Sequence, residues 1–165
     1  SAHRVMPTDH SDVPADWHKA RPEDVQKTFD AAQKAARDWS NWALEERAAV
    51  FLKAAELLTT TWRATVNAAT MLGQSKTAFQ AEIDSACELI DFWRFNPHFA
   101  QELYAEQPLS DHPMWNQLDY RPLEGVVYAV TPFNFTSSAG NLPRAPPLTG
   151  KTPIWNQSHT ALLHA

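Results

Sequence analysis

The stretch Gly125-Val-Val-Tyr-Ala-Val-Thr-Pro-Phe-Asn-Phe135 decides the fold of this chain. Its first half is a glycine followed by a short apolar run, which predicts a buried strand over residues 126–130. A polar loop over residues 131–135 follows at once. Open α/β sheets bind ligands at the carboxyl ends of their strands, so this loop is the first candidate for a functional site.

Asn134 has the most suitable chemistry within this loop. Its neutral amide can donate a hydrogen bond to an oxygen atom that gains negative charge during a reaction. A single asparagine, however, more often serves as a turn residue. The side chain alone therefore leaves both roles open.

The first three helical patterns of the chain lie between Pro22 and Gly73. Apolar residues recur at helical spacing after Pro22, again from Leu44, and in a shorter stretch around Trp62 that ends near Gly73. Pro22 suits the first turn of a helix, where its missing N–H group needs no partner. These patterns predict amphipathic helices that each bury one face.

A longer helix is predicted from about Lys76 to Phe95, where Pro97 should halt it before a further helical stretch over residues 99–107. Two stripes are predicted on opposite faces of this helix. The apolar stripe comprises Phe79, Ile83, Ala86, Cys87 and Ile90, and the acidic stripe comprises Asp84, Glu88 and Asp91. The acidic stripe is expected to face solvent.

The pattern along the chain predicts an α/β fold with a helical layer in front of the sheet. Helices followed by strand–helix–strand is the order expected of such a domain. The predicted segments are an N-terminal arm or loop (1–21), a helical layer (22–107), a linker with a strand at 115–120 (108–124), and the start of the sheet, with a second strand at 152–156 (125–165).

Composition excludes several classes of partner. The 165 residues carry 14 basic and 19 acidic side chains, a net charge of −5, and no basic cluster, so neither nucleic acid nor an anionic membrane is an expected partner. Cys87 is the only cysteine, which excludes an internal disulfide and favours a reducing compartment. The spacing of the histidines fits no tetrahedral motif, so no metal site is predicted.

Several segments carry a specific family resemblance. They include Ala68-Ala-Thr-Met-Leu-Gly-Gln-Ser-Lys-Thr77, Glu88-Leu-Ile-Asp-Phe-Trp-Arg-Phe-Asn96 and Thr131-Pro-Phe-Asn-Phe-Thr136, together with residues 47–56, 80–84 and 120–125. These residues resemble the Δ1-pyrroline-5-carboxylate dehydrogenases of the aldehyde dehydrogenase superfamily. The resemblance covers about residues 3–165 and implies an incomplete aldehyde dehydrogenase fold, in which the first strands of a Rossmann-like NAD-binding domain follow a helical layer.

The resemblance also implies a reaction and its residues. The family oxidises the small molecule L-glutamate γ-semialdehyde to L-glutamate with NAD, through a cysteine thiolate and a glutamate-activated water. On this basis Asn134 is the oxyanion donor, whereas Glu88 and Phe135 contact the substrate. The expected cofactor-binding residues are Thr131, Pro132, Phe133 and Asn156.

Plainer interpretations of these residues stay open on the sequence alone. Glu88 could belong to a solvated helical face, Phe135 could be ordinary core, and Thr131 could cap the following segment. The family resemblance further implies a homo-oligomer in the intact enzyme and an intracellular location, in the bacterial cytoplasm or the mitochondrial matrix.

Departures from the family pattern concentrate in the last thirty residues. Asn156 stands where the family has a lysine on the adenosine ribose, and Pro153 falls inside the predicted second strand. Residues Arg144, Pro147, Thr149 and His159 also depart from the pattern.

The family's nucleophilic cysteine and general-base glutamate find no counterpart in these residues. Cys87 is no substitute, because it lies on an apolar stripe beside acids that oppose thiolate formation. The chain is therefore expected to be the N-terminal portion of such an enzyme and inactive alone. The alternative is a non-catalytic helical interaction module or an inert fragment.

Overall fold

A computed structural model describes residues 2–164 of the chain. Eight helices of α or π type and two small sheets account for nearly all of its regular structure within those residues. In chain order the elements are β1 (Ala2–Arg4), β2 (Ala15–Trp17), α1 (Pro22–Trp39), α2 (Leu44–Thr59), α3 (Arg63–Gln74), α4 (Ala78–Ala81), a π-helix (Glu82–Cys87), α5 (Glu88–Ala105), β3 (Val127–Val130), α6 (Thr136–Asn141), α7 (Ala145–Leu148), β4 (Pro153–Asn156) and a final 3₁₀ helix (His159–His164).

The hydrophobic core lies where α2 crosses α5. Its largest buried side chains are Phe51 and Leu58 from α2 and Leu89, Ile90 and Trp93 from α5. The helical spacing of these residues places them on the facing surfaces of the two helices. The predicted helical layer therefore forms, but on α5 only Ile90 of these core residues belongs to the predicted apolar stripe.

The N-terminal segment contains a small hairpin, although the sequence predicted an arm or loop. Strand β1 pairs antiparallel with β2, with Ala2 opposite Trp17. Arg4 ties this hairpin to α3, because its Nη2 donates to the carbonyl of Gly73 over 2.7 Å. Such long-range pairing leaves no local periodicity to detect.

The prediction that Pro97 halts the long helix was wrong. Helix α5 continues through Pro97 to Ala105. A proline inside a helix removes one backbone hydrogen bond. Trp93, Pro97 and Ala100 are all buried on one side of α5, so packing on both sides of the proline holds the helix together.

The two predicted stripes are interrupted by the π-helix between α4 and α5. Asp84, predicted to face solvent, is buried with a relative exposure of 6%, whereas Phe79 of the predicted apolar stripe is 75% exposed. A π-helix has more residues per turn than an α-helix, so it changes which side chains face inward. The prediction of the acidic stripe was therefore wrong for Asp84, while Asp91 is exposed as expected.

Strands β3 and β4 form a parallel pair, with Val127 opposite Pro153 and Val130 opposite Asn156. Pro153 is the first residue of β4, a position where a sheet tolerates proline. It therefore does not interrupt the strand. The prediction of a fully buried first strand holds on one face only, since Tyr128 and Val130 are 58% and 59% exposed.

The linker before β3 carries no strand at residues 115–120, so that prediction was wrong. Trp115 is 83% exposed and the backbone there finds no strand partner. Alternating side chains favour a strand only when a neighbouring strand is available for hydrogen bonding.

Among residues 2–164, no helix has the length and apolar character that a membrane span requires.

Candidate active site

The carboxyl ends of β3 and β4 lie side by side and define the candidate site. Thr131 follows the last residue of β3, and Asn156 is the last residue of β4. The N–H group of Thr131 donates to the carbonyl of Asn156 over 3.1 Å. The structure thus brings two of the predicted cofactor-binding residues to one edge of the sheet.

The side chain of Thr131 is buried and serves the sheet edge itself. Its hydroxyl accepts a hydrogen bond from the Trp155 indole over 3.1 Å and lies 3.4 Å from the carbonyl of Asn156. The hydroxyl of Thr131 therefore bonds to β4. Within residues 2–164 it makes no hydrogen bond to the helix that follows, so the interpretation that it caps that helix is not supported. Helix α6 begins only at Thr136.

Lys76 fixes the backbone of the loop that carries Asn134. Its ammonium group donates to the carbonyl oxygen of Asn134. It also lies 4.4 Å from the centre of the Phe135 ring, a cation–π contact. The side-chain amide of Asn134 makes no hydrogen bond to any residue between 2 and 164, and it is half-buried. The donor is therefore held by its backbone while its amide stays available.

A buried ion pair holds Lys76 in turn. The Lys76 ammonium contacts a carboxylate oxygen of Asp84, and the two side chains are only 16% and 8% exposed. The other carboxylate oxygen of Asp84 is buried with no hydrogen-bond partner within the described part of the chain. Burial lowers the pKa of Lys76, whereas the negative charge of Glu88 acts in the opposite direction.

Glu88 lies beside the start of α6. Ser137, which is fully buried, donates its hydroxyl proton to the Glu88 carboxylate over 2.7 Å. Glu88 is half-buried, so it does not sit on a fully solvated face. It joins α5 to the helix that follows the Asn134 loop.

Asn156 and Phe133 are both exposed at the outer edge of the site. The amide of Asn156 donates to the hydroxyl of Tyr128 over 2.8 Å, which leaves its side-chain oxygen able to accept. Phe133 is 65% exposed, Phe135 is 41% exposed, and Pro132 between them is half-buried. Phe135 is therefore not an ordinary core residue.

Cys87 makes its contacts away from the loop that carries Asn134. Its sulfur accepts from an Arg63 guanidinium nitrogen over 3.4 Å and donates to Glu82 over 3.6 Å. Burial, and then the charge of Glu82, raise the pKa of the Cys87 thiol. Its main acidic neighbour is thus Glu82, and not the predicted acids at 84, 88 and 91. Across residues 2–164, no group of three or more histidine, cysteine or acidic residues is placed to hold a metal ion.

Sequence reasoning missed Lys76, Asp84 and Ser137 as parts of this site. The structure, though not the sequence, marks this place at Ser75, the residue after α3, whose φ of 55° is left-handed. A non-glycine residue in that region is uncommon and often marks a functional loop. The other contacts join positions far apart in the chain and have no local signature.

The sequence of the chain matches one family along almost its whole length. The sequence profile of the aldehyde dehydrogenase family matches residues 2–165, so the chain belongs to that family.

Similar relatives within it bear a more specific name. The mitochondrial Δ1-pyrroline-5-carboxylate dehydrogenase of Emericella nidulans is 48% identical over 157 residues, which is 94% of this chain and 27% of that protein. The human mitochondrial enzyme of the same name is 45% identical, over 98% of this chain and 29% of its own length.

The crystal structure of the Mycobacterium tuberculosis Δ-pyrroline-5-carboxylate dehydrogenase bound with NAD is 53% identical with a TM-score of 0.95, over 96% of this chain and 30% of that one. The chain therefore spans less than a third of the length of each of these relatives.

Proposed function

We propose that these residues supply the oxyanion donor and one edge of the NAD site to an enzyme that oxidises L-glutamate γ-semialdehyde to L-glutamate. The observation that carries the proposal is the position of Asn134. It lies in the loop after a parallel strand, its carbonyl is held by Lys76, and its side-chain amide makes no hydrogen bond within residues 2–164. The 53% identity to a relative crystallised with NAD supports the same assignment.

The proposed role of Asn134 is electrostatic. Its N–H group donates to the aldehyde oxygen as a nucleophile adds to the carbonyl carbon and negative charge develops on that oxygen. Donors of this kind stabilise the transition state by about 3–4 kcal/mol, provided they are fixed before the reaction. The bond from Lys76 to the backbone of Asn134 supports such fixing.

Glu88 and Phe135 are proposed to line the substrate side of the loop. Phe135 offers an exposed aromatic surface for the aliphatic chain of the substrate. Glu88 accepts a hydrogen bond from Ser137 of α6 and Lys76 lies against the Phe135 ring, so an anion and a cation both border this side of the loop. A substrate with its own ammonium and carboxylate groups suits such a pair.

Residues Thr131, Pro132, Phe133 and Asn156 are proposed to border NAD, which accepts a hydride when bound. The fit rests on the joined strand ends and on the exposed Asn156, whose side-chain oxygen can accept a hydrogen bond from a ribose hydroxyl. The hydroxyl of Thr131 is occupied by Trp155. We therefore assign the contribution of Thr131 to NAD binding to the shape of its side chain and to its backbone groups.

A chimeric enzyme tests the proposal. Residues 1–165 of this chain would replace the matching segment of the Mycobacterium tuberculosis relative, and NADH formation from glutamate semialdehyde would be followed by absorbance. We expect an active chimera, and we expect Asn134→Ala to lower kcat by about 10²–10³-fold.

The conservative variant Asn134→Gln and the surface variant Lys53→Met serve as controls, since Lys53 is exposed and lies outside the proposed site. An active chimera in which Asn134→Ala keeps its full kcat would overturn the role of Asn134. A folded chimera that binds NAD but gives no product would contradict the proposed activity.

A further inference from the structure

Arg144 lies between two tryptophan rings. The centre of its guanidinium group is 5.4 Å from the ring of Trp93 on α5 and 5.3 Å from the ring of Trp155 on β4. Arginine often stacks on aromatic faces in this way, because its delocalised charge is weakly hydrated. The planar cation is therefore held in place from two sides.

Within residues 2–164 the charge of Arg144 has no carboxylate partner. One guanidinium nitrogen donates to the carbonyl of Gly140 over 3.1 Å, and no ion pair involving Arg144 occurs anywhere in residues 2–164. Burial lowers the pKa of Arg144. A guanidinium group has five N–H donors, so most of its capacity for an anion is unused.

An apolar cavity of about 220 Å³ opens beside this group. Its walls include Leu57, Leu89 and Ala139, together with both tryptophans. The indole N–H group of Trp93, on the same wall, is buried and has no acceptor among the described residues. A cavity of about 150 Å³ with apolar walls is large enough to hold a benzene ring.

We propose that this cavity binds a small organic carboxylate with a flat apolar body. The carboxylate accepts two hydrogen bonds from the Arg144 guanidinium, whose fork geometry matches its two oxygens. The apolar body fills the space between Leu57, Leu89 and the indoles. Phosphate and sulfate fit poorly, because apolar walls cannot replace water around their remaining oxygens. This site does not depend on the proposed dehydrogenase activity.

Titration of the purified chain with benzoate tests the proposal. Binding would be followed by the change in tryptophan fluorescence, to which Trp62, Trp93 and Trp155 at the cavity contribute among the seven tryptophans, and by calorimetry, which gives the stoichiometry. We expect saturable binding of one benzoate per chain. Benzyl alcohol, which has the ring without the charge, should bind at least about tenfold more weakly because it lacks a charge-assisted bond. Acetate, which lacks the ring, should also bind at least about tenfold more weakly.

Variants assign the site to Arg144. Arg144→Met should abolish the preference for benzoate over benzyl alcohol, and Arg144→Lys should retain part of it because lysine keeps the charge without the fork. Arg121→Met is the matched control, since the Arg121 side chain is 77% exposed and pairs with Glu124.

Circular dichroism would confirm that each variant keeps its helical content. Equal affinities of the parent chain for benzoate and benzyl alcohol would overturn the proposal without any variant. An unchanged benzoate affinity in a folded Arg144→Met chain would overturn it as well.

Discussion

Lys76 and Asp84 form the most consequential pair of residues in the structure. Both side chains are largely buried. The carboxylate oxygen of Asp84 that does not contact Lys76 has no hydrogen-bond partner within residues 2–164. Removing one partner of a buried pair leaves an uncompensated charge, which typically destabilises a protein by about 3–5 kcal/mol.

We therefore expect Lys76→Met to lower the free energy of unfolding by about that amount. The double variant Lys76→Met/Asp84→Leu should recover much of the loss, because no buried charge remains. Urea unfolding at one low chain concentration, at which association is least, measures both. Lys53→Met is the surface control, since the Lys53–Glu56 pair is more than half exposed and should contribute at most about 1 kcal/mol. A double variant no more stable than Lys76→Met would show that the buried charge is not the cause.

Asn156 allows a test of cofactor affinity at a single position. If NAD binds the chain, Asn156→Lys should tighten it, because a charge-assisted hydrogen bond to the ribose contributes about 1.5–3 kcal/mol. Calorimetric titration with NAD compares the two chains, with Asn116→Lys as a control in the exposed linker. Equal dissociation constants for Asn156→Lys and the parent would exclude the proposed ribose contact.

The chemistry of the loop could be predicted from sequence at the residue scale, but the contacts that hold it could not. Asn134 lies in the loop that directly follows an apolar run, so its place at a strand end was visible. Lys76 reaches the same loop from a position 58 residues earlier in the chain. Nothing near Lys76 indicates that distant contact, and a buried ion pair resembles a solvated one in sequence.

Among the elements, the turn that leads into β4 depends on Gly150. Its φ is +80°, and a Cβ atom there would lie 2.8 Å from Cγ of the Pro122 ring. Gly125, before β3, has a φ of +74° and nothing within 4 Å of the same position. Substitution of Gly125 therefore tests backbone strain alone, whereas substitution of Gly150 tests backbone strain together with a steric clash.

We expect Gly125→Ala to lower the free energy of unfolding by about 1 kcal/mol, from backbone strain alone. Gly150→Ala should cost clearly more, because the semi-rigid proline ring must also move. Thermal or urea unfolding of the two variants measures the difference. Equal losses would mean that Pro122 shifts freely and that the turn is not confined by its neighbours.

Helix positions were predictable where one face alone is buried. The periodicity of α2 and α3 gave their limits within a few residues, because packing against one partner imposes a regular pattern. Pro97 misled because its local preference to end a helix is outweighed by burial of Trp93 and Ala100 around it. Local preference is a weak guide wherever tertiary packing decides.

At the scale of the whole molecule, the chain alone should have no dehydrogenase activity. Its one cysteine has a raised thiol pKa and contacts Arg63 and Glu82, so little nucleophilic thiolate forms near neutral pH. Loss of the nucleophile in a covalent mechanism lowers kcat by several orders of magnitude. The measurement is NADH formation by the purified 165-residue chain, with Cys87→Ser as control. Activity that Cys87→Ser abolishes would identify Cys87 as a nucleophile after all.

The chain alone should also associate as its concentration rises. Several large apolar side chains lie open to solvent, among them Leu109 at 94% and Leu123 at 76% exposure. Within residues 2–164 the parallel sheet has two strands, whose outer edges offer unpaired backbone groups. The homo-oligomer expected of the intact enzyme rests on the family resemblance and stays a prediction.

Circular dichroism and light scattering measure this behaviour. We expect a strong helical signal, a broad thermal transition and a mass that rises with concentration. A sharp cooperative transition with a monomeric mass at high concentration would instead show an autonomous domain.

The π-helix at Glu82–Cys87 determines which side chains of this segment face the candidate site. Each residue of an α-helix turns the chain by about 100°, and a wide turn resets that rotation for everything on one side of it. Here the reset lets Asp84 face Lys76 while Glu88, after the turn, faces Ser137. The arrangement is thus encoded by helix length as well as by residue identity. Loss of a single residue between Glu82 and Cys87 would dismantle it, even with every residue named above still present.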